Sequence, residues 1–282
     1  MFLTVLVLLA VQCHASGIEP GAARPFKVVS DIDDTVKITH VTNKADLLFR
    51  TFFHKSTFAG MPELYQELTK TSHANEVALN PAAELVEPKN SVVFLSNGPQ
   101  FLQTTLTHLF FGVGFEGFQI RLRDWISQSS KIFKNFAMNS LVQETEDPFL
   151  MLGDDTERDP EVYEKFRTTH PSERSLSVYI HRVVGPQRAI PEGMIEYYTA
   201  FDVALSELQA GRLTEDQVVR VGQVVLAAPE EKLIPGFADC PSSQWMASFV
   251  TSKGALIKAG TPLFDTVLDV YRRVEGFCAS RS

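Results

Sequence analysis

Four short apolar runs constrain the fold more than any other feature of this chain. They span 26–30, 91–96, 148–153 and 176–184. Near-continuous apolar runs of about 4–8 residues suit strands buried on both faces rather than strands with one wet side. Helical patterns lie between them, at 61–71, 99–111, 131–143 and 160–168. Strand and helix in alternation predict a parallel sheet covered on both sides. Such sheets gather their chemistry beyond the carboxyl ends of the strands. Asp31, Ser96 and Asp154 each stand at such an end.

From about residue 191 the pattern becomes helical without strands. A helix over 196–210 ends at Gly211 as its C-cap, and Thr214 to Gln217 forms a capping box for the next. A loop rich in Pro and Ser, 234–243, leads to a last helix near 263–275. The expected organisation is a leader at 1–15, an α/β domain at 16–190 and a helical extension at 191–282 packed on it. The leader rests on 2–11, an uncharged apolar run too short to span a bilayer with ordinary flanks. Cys13 and Ala15 put small residues where a signal peptidase inspects, so cleavage after Ala15 and a secreted or periplasmic location are expected. No Lys or Arg precedes the run, which leaves a buried N-terminal strand or an uncleaved anchor as the other readings. Cleavage removes Cys13. Cys240 and Cys278 remain, either as one disulfide or as two buried thiols.

Three loops carry chemistry. Asp31-x-Asp33-x-Thr35 places two carboxylates in one turn, suited to a nucleophile and a proton donor beside a metal ion; by itself it also fits an acidic turn capping a helix. Ser96-Asn97-Gly98-Pro99 offers a hydroxyl and backbone N–H groups to a phosphoryl oxygen, or a plain N-cap. In 153–159, Asp154, Asp155, Glu157 and Asp159 add oxygen ligands of the kind Mg²⁺ takes, or a solvated turn. Lys134 opens an amphipathic helix between the last two loops, where it is either a phosphate-binding ammonium or a surface lysine.

Taken in order, DxDxT, a strand-end Ser, a helix-start Lys and GDxxxxD resemble the haloacid-dehalogenase-like phosphohydrolases. DIDDTVKIT, VTNKADLLFRTF, AGMPELY, SNGPQFL, GFEGFQIRLRDW, GDDTERDPEVY and YIHRV extend the likeness. Together they resemble the catalytic domain of the actin-patch-protein family of phosphatidate phosphatases, from about 25 to 184. The fold class implied is α/β, a Rossmann-like parallel sheet of the haloacid-dehalogenase type with a helical C-terminal extension. The activity implied is Mg²⁺-dependent hydrolysis of a phosphomonoester, phosphatidate first, through an aspartyl-phosphate. Asp31 would attack phosphorus, Asp33 would serve as acid and then base, and Thr35 would orient the loop. Ser96 and Lys134 would bind phosphoryl oxygens, with Lys134 preferred to Lys131, and Asn97 would be a further substrate contact. Asp31, Asp154 and the backbone carbonyl of Asp33 would hold Mg²⁺, with Asp159 as a further ligand or a support. The chain departs from the family where SxSPW is expected and Ser96-Asn97-Gly98-Pro99-Gln100 stands, and where Asp155-Thr156 replaces Ser-Gly. Both departures lie near the substrate mouth.

The 34 acidic and 26 basic residues give a net charge of −8, which argues against a basic surface for nucleic acid. Asp31, Asp33, Asp34, Asp154, Asp155, Glu157 and Asp159 fall in two loops expected to meet at one metal site. Seven His and three Cys, with no CxxC or HExxH, leave little for a zinc scaffold. Gly112-x-Gly114-x-x-Gly117 follows a helix, not a strand, and is discounted as a dinucleotide site. Phe110, Phe111, Phe115 and Phe118 are read as core, and His54 and His181 as structural, with lipid or substrate contact the minority reading. A phospholipid substrate leaves peripheral membrane contact open. Two alternatives stand beside it: a phosphatase for soluble esters, and a catalytically silent module that binds lipid headgroups.

Overall fold

The computed structural model describes residues 24–39, 56–85, 91–185 and 187–281. The leader and His54 lie outside the described residues. Six strands form one parallel sheet in the order β3-β2-β1-β4-β5-β6. They are β1 (Lys27–Asp31), β2 (Val92–Pro99), β3 (Phe118–Arg123), β4 (Phe149–Asp154), β5 (Ser175–His181) and β6 (Ile195–Tyr197). The helices between and after them are α1 (Met61–Leu79), α2 (Gln103–Gly112), α3 (Ser130–Glu144), α4 (Asp159–Thr169), α5 (Ala200–Gln209), α6 (Glu215–Ala227), α7 (Glu230–Leu233), α8 (Ser243–Ser252) and α9 (Pro262–Ala279). None of the described helices is long and apolar enough to cross a membrane.

The apolar runs divide residue by residue between two cores, as a two-residue repeat requires. Val28, Val92, Phe94, Leu150, Leu152 and Tyr179 face one core, built with α1, α2, α5, α6 and α9. Val29, Val93, Leu95, Phe149, Met151, Val178 and Ile180 face the other, under α3 and α4. The chain winds from β1 outward through β2 to β3, then crosses back so that β4 lies on the other side of β1. That reversal falls at the carboxyl ends of β1 and β4, the point where α/β sheets of this order bind ligands. Asp31 and Asp154 are the last residues of those two strands.

Four elements differ from expectation, among them the single turn of α7, which no pattern announced. β3 was not expected, because as an edge strand its Ile120 and Leu122 alternate with partly exposed residues and make no continuous run. The extension contributes β6, paired with β5 from Tyr179↔Ile195 to His181↔Tyr197, where only helix was expected. Three residues are too few to show a period. α8 also went unread, although Ser242 accepts the Trp245 N–H at 3.0 Å as its N-cap. The capping box at Thr214 and Gln217 and the left-handed Gly211 stand where the pattern put them.

Cys240 and Cys278 form a disulfide that ties the Pro- and Ser-rich loop to the end of α9 across a separation of 38 residues. Closing a loop of that size removes about 4 kcal/mol of unfolded-chain entropy. Reduction, or Cys278→Ser, is therefore expected to lower the melting temperature by about 10 °C. Calorimetry with and without reductant measures it.

Candidate active site

The loop after β1 is set by its backbone. Val36 and Lys37 both donate their N–H to the Ile32 carbonyl, at 3.0 and 2.9 Å. Asp34 sits at φ 57°, the one non-glycine residue in the left-handed region among those described. Aspartate tolerates that conformation when local hydrogen bonds hold it, and such residues cluster at functional sites. Its Oδ1 accepts the Thr39 N–H and hydroxyl, at 2.9 and 3.1 Å. Its carbonyl lies 2.7 Å from His181 Nδ1, while His181 Nε2 lies 3.2 Å from the Tyr198 carbonyl. The ring is fully buried, stacked on Tyr197 and met edge-on by Phe58. Burial lowers its pKa. His181 therefore buttresses the acidic loop from behind.

The second acidic loop closes against the first through a glycine. A Cβ at Gly153 would lie 2.5 Å from Asp159 Cβ and 2.8 Å from the Tyr163 ring, so only glycine lets α4 start this close to β4. Asp159 Oδ2 then accepts the Asp154 N–H at 3.4 Å. Asp154 Oδ1 accepts the N–H groups of Thr156 and Glu157, at 2.6 and 3.3 Å, and also the Thr156 hydroxyl. Thr35 donates its hydroxyl to Asp154 Oδ2 at 3.3 Å, which joins the two loops.

Lys134 arrives from α3, on the stripe that packs Phe133, Ala137, Met138 and Leu141 against the sheet. Its ammonium is buried and donates to Asp31 Oδ1 at 2.6 Å and to Asp159 Oδ1 at 2.5 Å, with Glu157 at 3.6 Å. Burial alone would lower its pKa, but Asp159, Asp31 and Glu157 outweigh that and hold it well above the usual lysine value. The carboxylates remain in excess. Burial, opposed by Lys134 and reinforced by Asp159 and Asp154, pushes Asp31 well above the usual range. Burial and then Asp159 do the same to Asp154. Carboxylate oxygens of Asp31, Asp154 and Asp159 all lie within 4.8 Å of one another. Three buried acids around one lysine lack positive charge, and the set offers only oxygen. It fits a hard cation rather than a thiophilic one.

On the other side of Asp31, Ser96 donates its hydroxyl to Asp33 Oδ2 at 3.1 Å and accepts the Gly98 N–H at 3.0 Å. The β2–β3 register shifts between Ser96 and Pro99, just where the strand reaches the Ser96 hydroxyl. Burial raises the Asp33 pKa to about 6, with Lys37 opposing. That value keeps a protonated fraction near neutrality, which a proton donor needs. Asn97 Nδ2 donates to Glu157 Oε2 at 2.8 Å, while Asn97 Oδ1 is buried and accepts nothing.

The structure thus brings together Asp31, Asp33, Thr35, Ser96, Lys134, Asp154 and Asp159, with Asn97 at the rim. The cluster is narrower than the seven acids expected to converge. Asp155 turns away: its Oδ1 accepts the N–H groups of Val183 and Val184 at 2.8 Å each, and its Oδ2 that of Gly185 at 3.1 Å. Asp34 is engaged by Thr39. Asp155 follows the last residue of β4, where successive side chains point to opposite sides, and Asp34 is turned by its left-handed backbone. Lys37 was missed. It is fully buried, and its charge acts on Asp33 and Asp34. Its signal was a lysine flanked by Val36 and Ile38 in a buried stretch.

A doubly wound parallel sheet with a lysine-clamped carboxylate at the end of its first strand defines the class, a phosphohydrolase of the haloacid-dehalogenase type. The family model "Phosphatidate phosphatase APP1, catalytic domain" matches residues 26–182, more than half of the chain, and the chain belongs to that family. It is a phosphoric monoester hydrolase. The match closes just past β5 and leaves β6 and α5 to α9 outside it. No curated protein and no solved structure matches the chain.

Proposed function

We propose that the chain hydrolyses phosphatidate to diacylglycerol and inorganic phosphate through an aspartyl-phosphate on Asp31, with Mg²⁺ as cofactor. The observation that carries this reading is the Asp31 carboxylate fixed by Lys134, with Asp33 two residues on and hydrogen-bonded to Ser96. An Asp31 oxygen attacks phosphorus, and the bond from phosphorus to the glycerol oxygen breaks. Protonated Asp33 gives its proton to that leaving oxygen. The Asp33 carboxylate then takes a proton from water, the hydroxide attacks phosphorus, and the Asp31–phosphorus bond breaks to release phosphate. In this reading Ser96 and Lys134 bind the phosphoryl oxygens.

Asp31, Asp154 and the Asp33 carbonyl would hold the ion, with Asp159 completing or orienting the set. When bound, it would neutralise the acids and the charge developing on phosphate. The reading includes an exported mature chain beginning after Ala15, with 16–190 as the catalytic domain and 191–282 as its extension. The disulfide between Cys240 and Cys278 supports an oxidising compartment.

The test is a substrate panel with the full chain, with and without Mg²⁺. Phosphate release from phosphatidate is expected, with loss on chelation and recovery when Mg²⁺ is restored. Release from aryl phosphate but none from phosphatidate would give the reaction to soluble esters. Headgroup binding with no turnover on any ester would make the domain a binding module.

A further inference from the structure

Large apolar side chains stand exposed on the carboxyl edge of the sheet, beside the catalytic loops. Phe101 follows β2 and is 70% exposed; Trp125 and Ile126 follow β3 and are 57% and 99% exposed. Single exposed hydrophobics need no explanation. These three differ in being grouped on two adjacent loops and held there. Phe101 and Trp125 meet edge to face with centroids 6.5 Å apart. The Trp125 indole N–H donates to the Asn97 carbonyl at 3.0 Å, and the Arg123 guanidinium lies 5.2 Å from its ring.

The turn that carries Ile126 is tied by its own residues. Asp124 Oδ1 accepts the Ile126 N–H at 2.9 Å, its Oδ2 accepts the Ser127 hydroxyl at 2.6 Å, and its carbonyl accepts the Gln128 N–H at 2.9 Å. Turn tips normally carry Gly, Asn, Asp or Ser. Here an isoleucine is presented on a rigid turn, behind a tryptophan whose polar atom faces the protein and whose ring faces out. The patch is also continuous with the site. Asn97 holds Trp125 through its carbonyl and Glu157 through its amide, and Glu157 stands 3.6 Å from Lys134 Nζ.

We propose that Phe101, Trp125 and Ile126 form a membrane-docking edge that enters the interfacial layer of a phosphatidate-containing bilayer and sets the catalytic loops against the headgroups. The inference rests on a phospholipid being the substrate. An aromatic ring with one polar atom suits that layer, and an aliphatic tip reaches past it. The net charge of −8 opposes adsorption to an anionic surface. Attachment therefore comes from apolar insertion, and added salt leaves it intact or strengthens it.

The test uses the full chain carrying Asp31→Asn, so that vesicles are bound without turnover. Binding to phosphatidylcholine vesicles containing phosphatidate is measured by sedimentation. Ile126→Asp is expected to weaken binding about tenfold, and Ile126→Leu to preserve it. In chains retaining Asp31, Ile126→Asp lowers turnover of vesicle phosphatidate to match. Turnover of a short-chain, water-soluble phosphatidate stays within about twofold. Equal vesicle binding by the Ile126→Asp chain, equal loss on both substrates, or binding that collapses with salt overturns the docking edge. Absence of vesicle binding by the parent chain also overturns it and turns the patch toward a protein partner. Binding with the expected Ile126 dependence, but no hydrolysis of either substrate, upholds docking and removes phosphatidate as substrate.

Discussion

Asp31→Asn is expected to give a folded protein that releases phosphate at least about a thousandfold more slowly than the parent. The amide keeps the size of the carboxylate and can still accept from Lys134 Nζ, now 2.6 Å from Asp31 Oδ1. It cannot displace an alkoxide from phosphorus. The same change removes one of three buried carboxylates, the one whose pKa burial, Asp159 and Asp154 all raise. Lys134 keeps Asp159 at 2.5 Å. Without added metal, the variant is therefore expected to melt at or above the parent temperature, as when a charge strained for function is removed. The parent is stabilised by divalent cation through ligand linkage, and the variant less so, because a ligand is gone. Calorimetry over a Mg²⁺ titration and a phosphate-release assay measure both halves. A variant that melts far below the parent, or keeps its turnover, removes Asp31 as nucleophile in an over-charged pocket.

The sheet was legible because strands buried on both faces leave continuous apolar runs. Phe149, Met151, Leu150 and Leu152 read as one word, although they serve two cores. β3 and β6 were not legible, since a half-exposed edge strand and a three-residue strand leave no such run. In the site, the motifs located the carboxylates but not their directions. Asp154 and Asp155 are neighbours in sequence, yet one faces Asp31 and the other ties down 183–185. Only the strand register decides between them. Gly153 likewise reads as a motif letter until the contact of its missing Cβ with Asp159 explains it. The disulfide stayed open for a similar reason. Two cysteines separated by 38 residues give no geometry until α9 and the loop before α8 are placed together.

Lys134→Met is expected to damage stability and activity together, unlike Asp31→Asn. Methionine matches the lysine stem and packs against Phe133 and Met138, so lost volume contributes little. What it removes is the cation between Asp31 and Asp159, both buried. Breaking a buried pair from one side leaves an uncompensated charge and costs about 3–5 kcal/mol. Turnover falls as well, because no ammonium remains to meet the phosphoryl oxygens. The two positions share one network, so their effects are not additive. Adding Asp31→Asn to the Lys134→Met chain takes away one of the stranded charges. In that background Asp31→Asn is expected to stabilise by about 1–3 kcal/mol more than it does in the parent, while the double variant remains inactive. Denaturant unfolding of the four proteins in the cycle gives that coupling directly. A coupling near zero means Lys134 and Asp31 do not balance each other in the folded protein, and the clamp on the nucleophile fails with it.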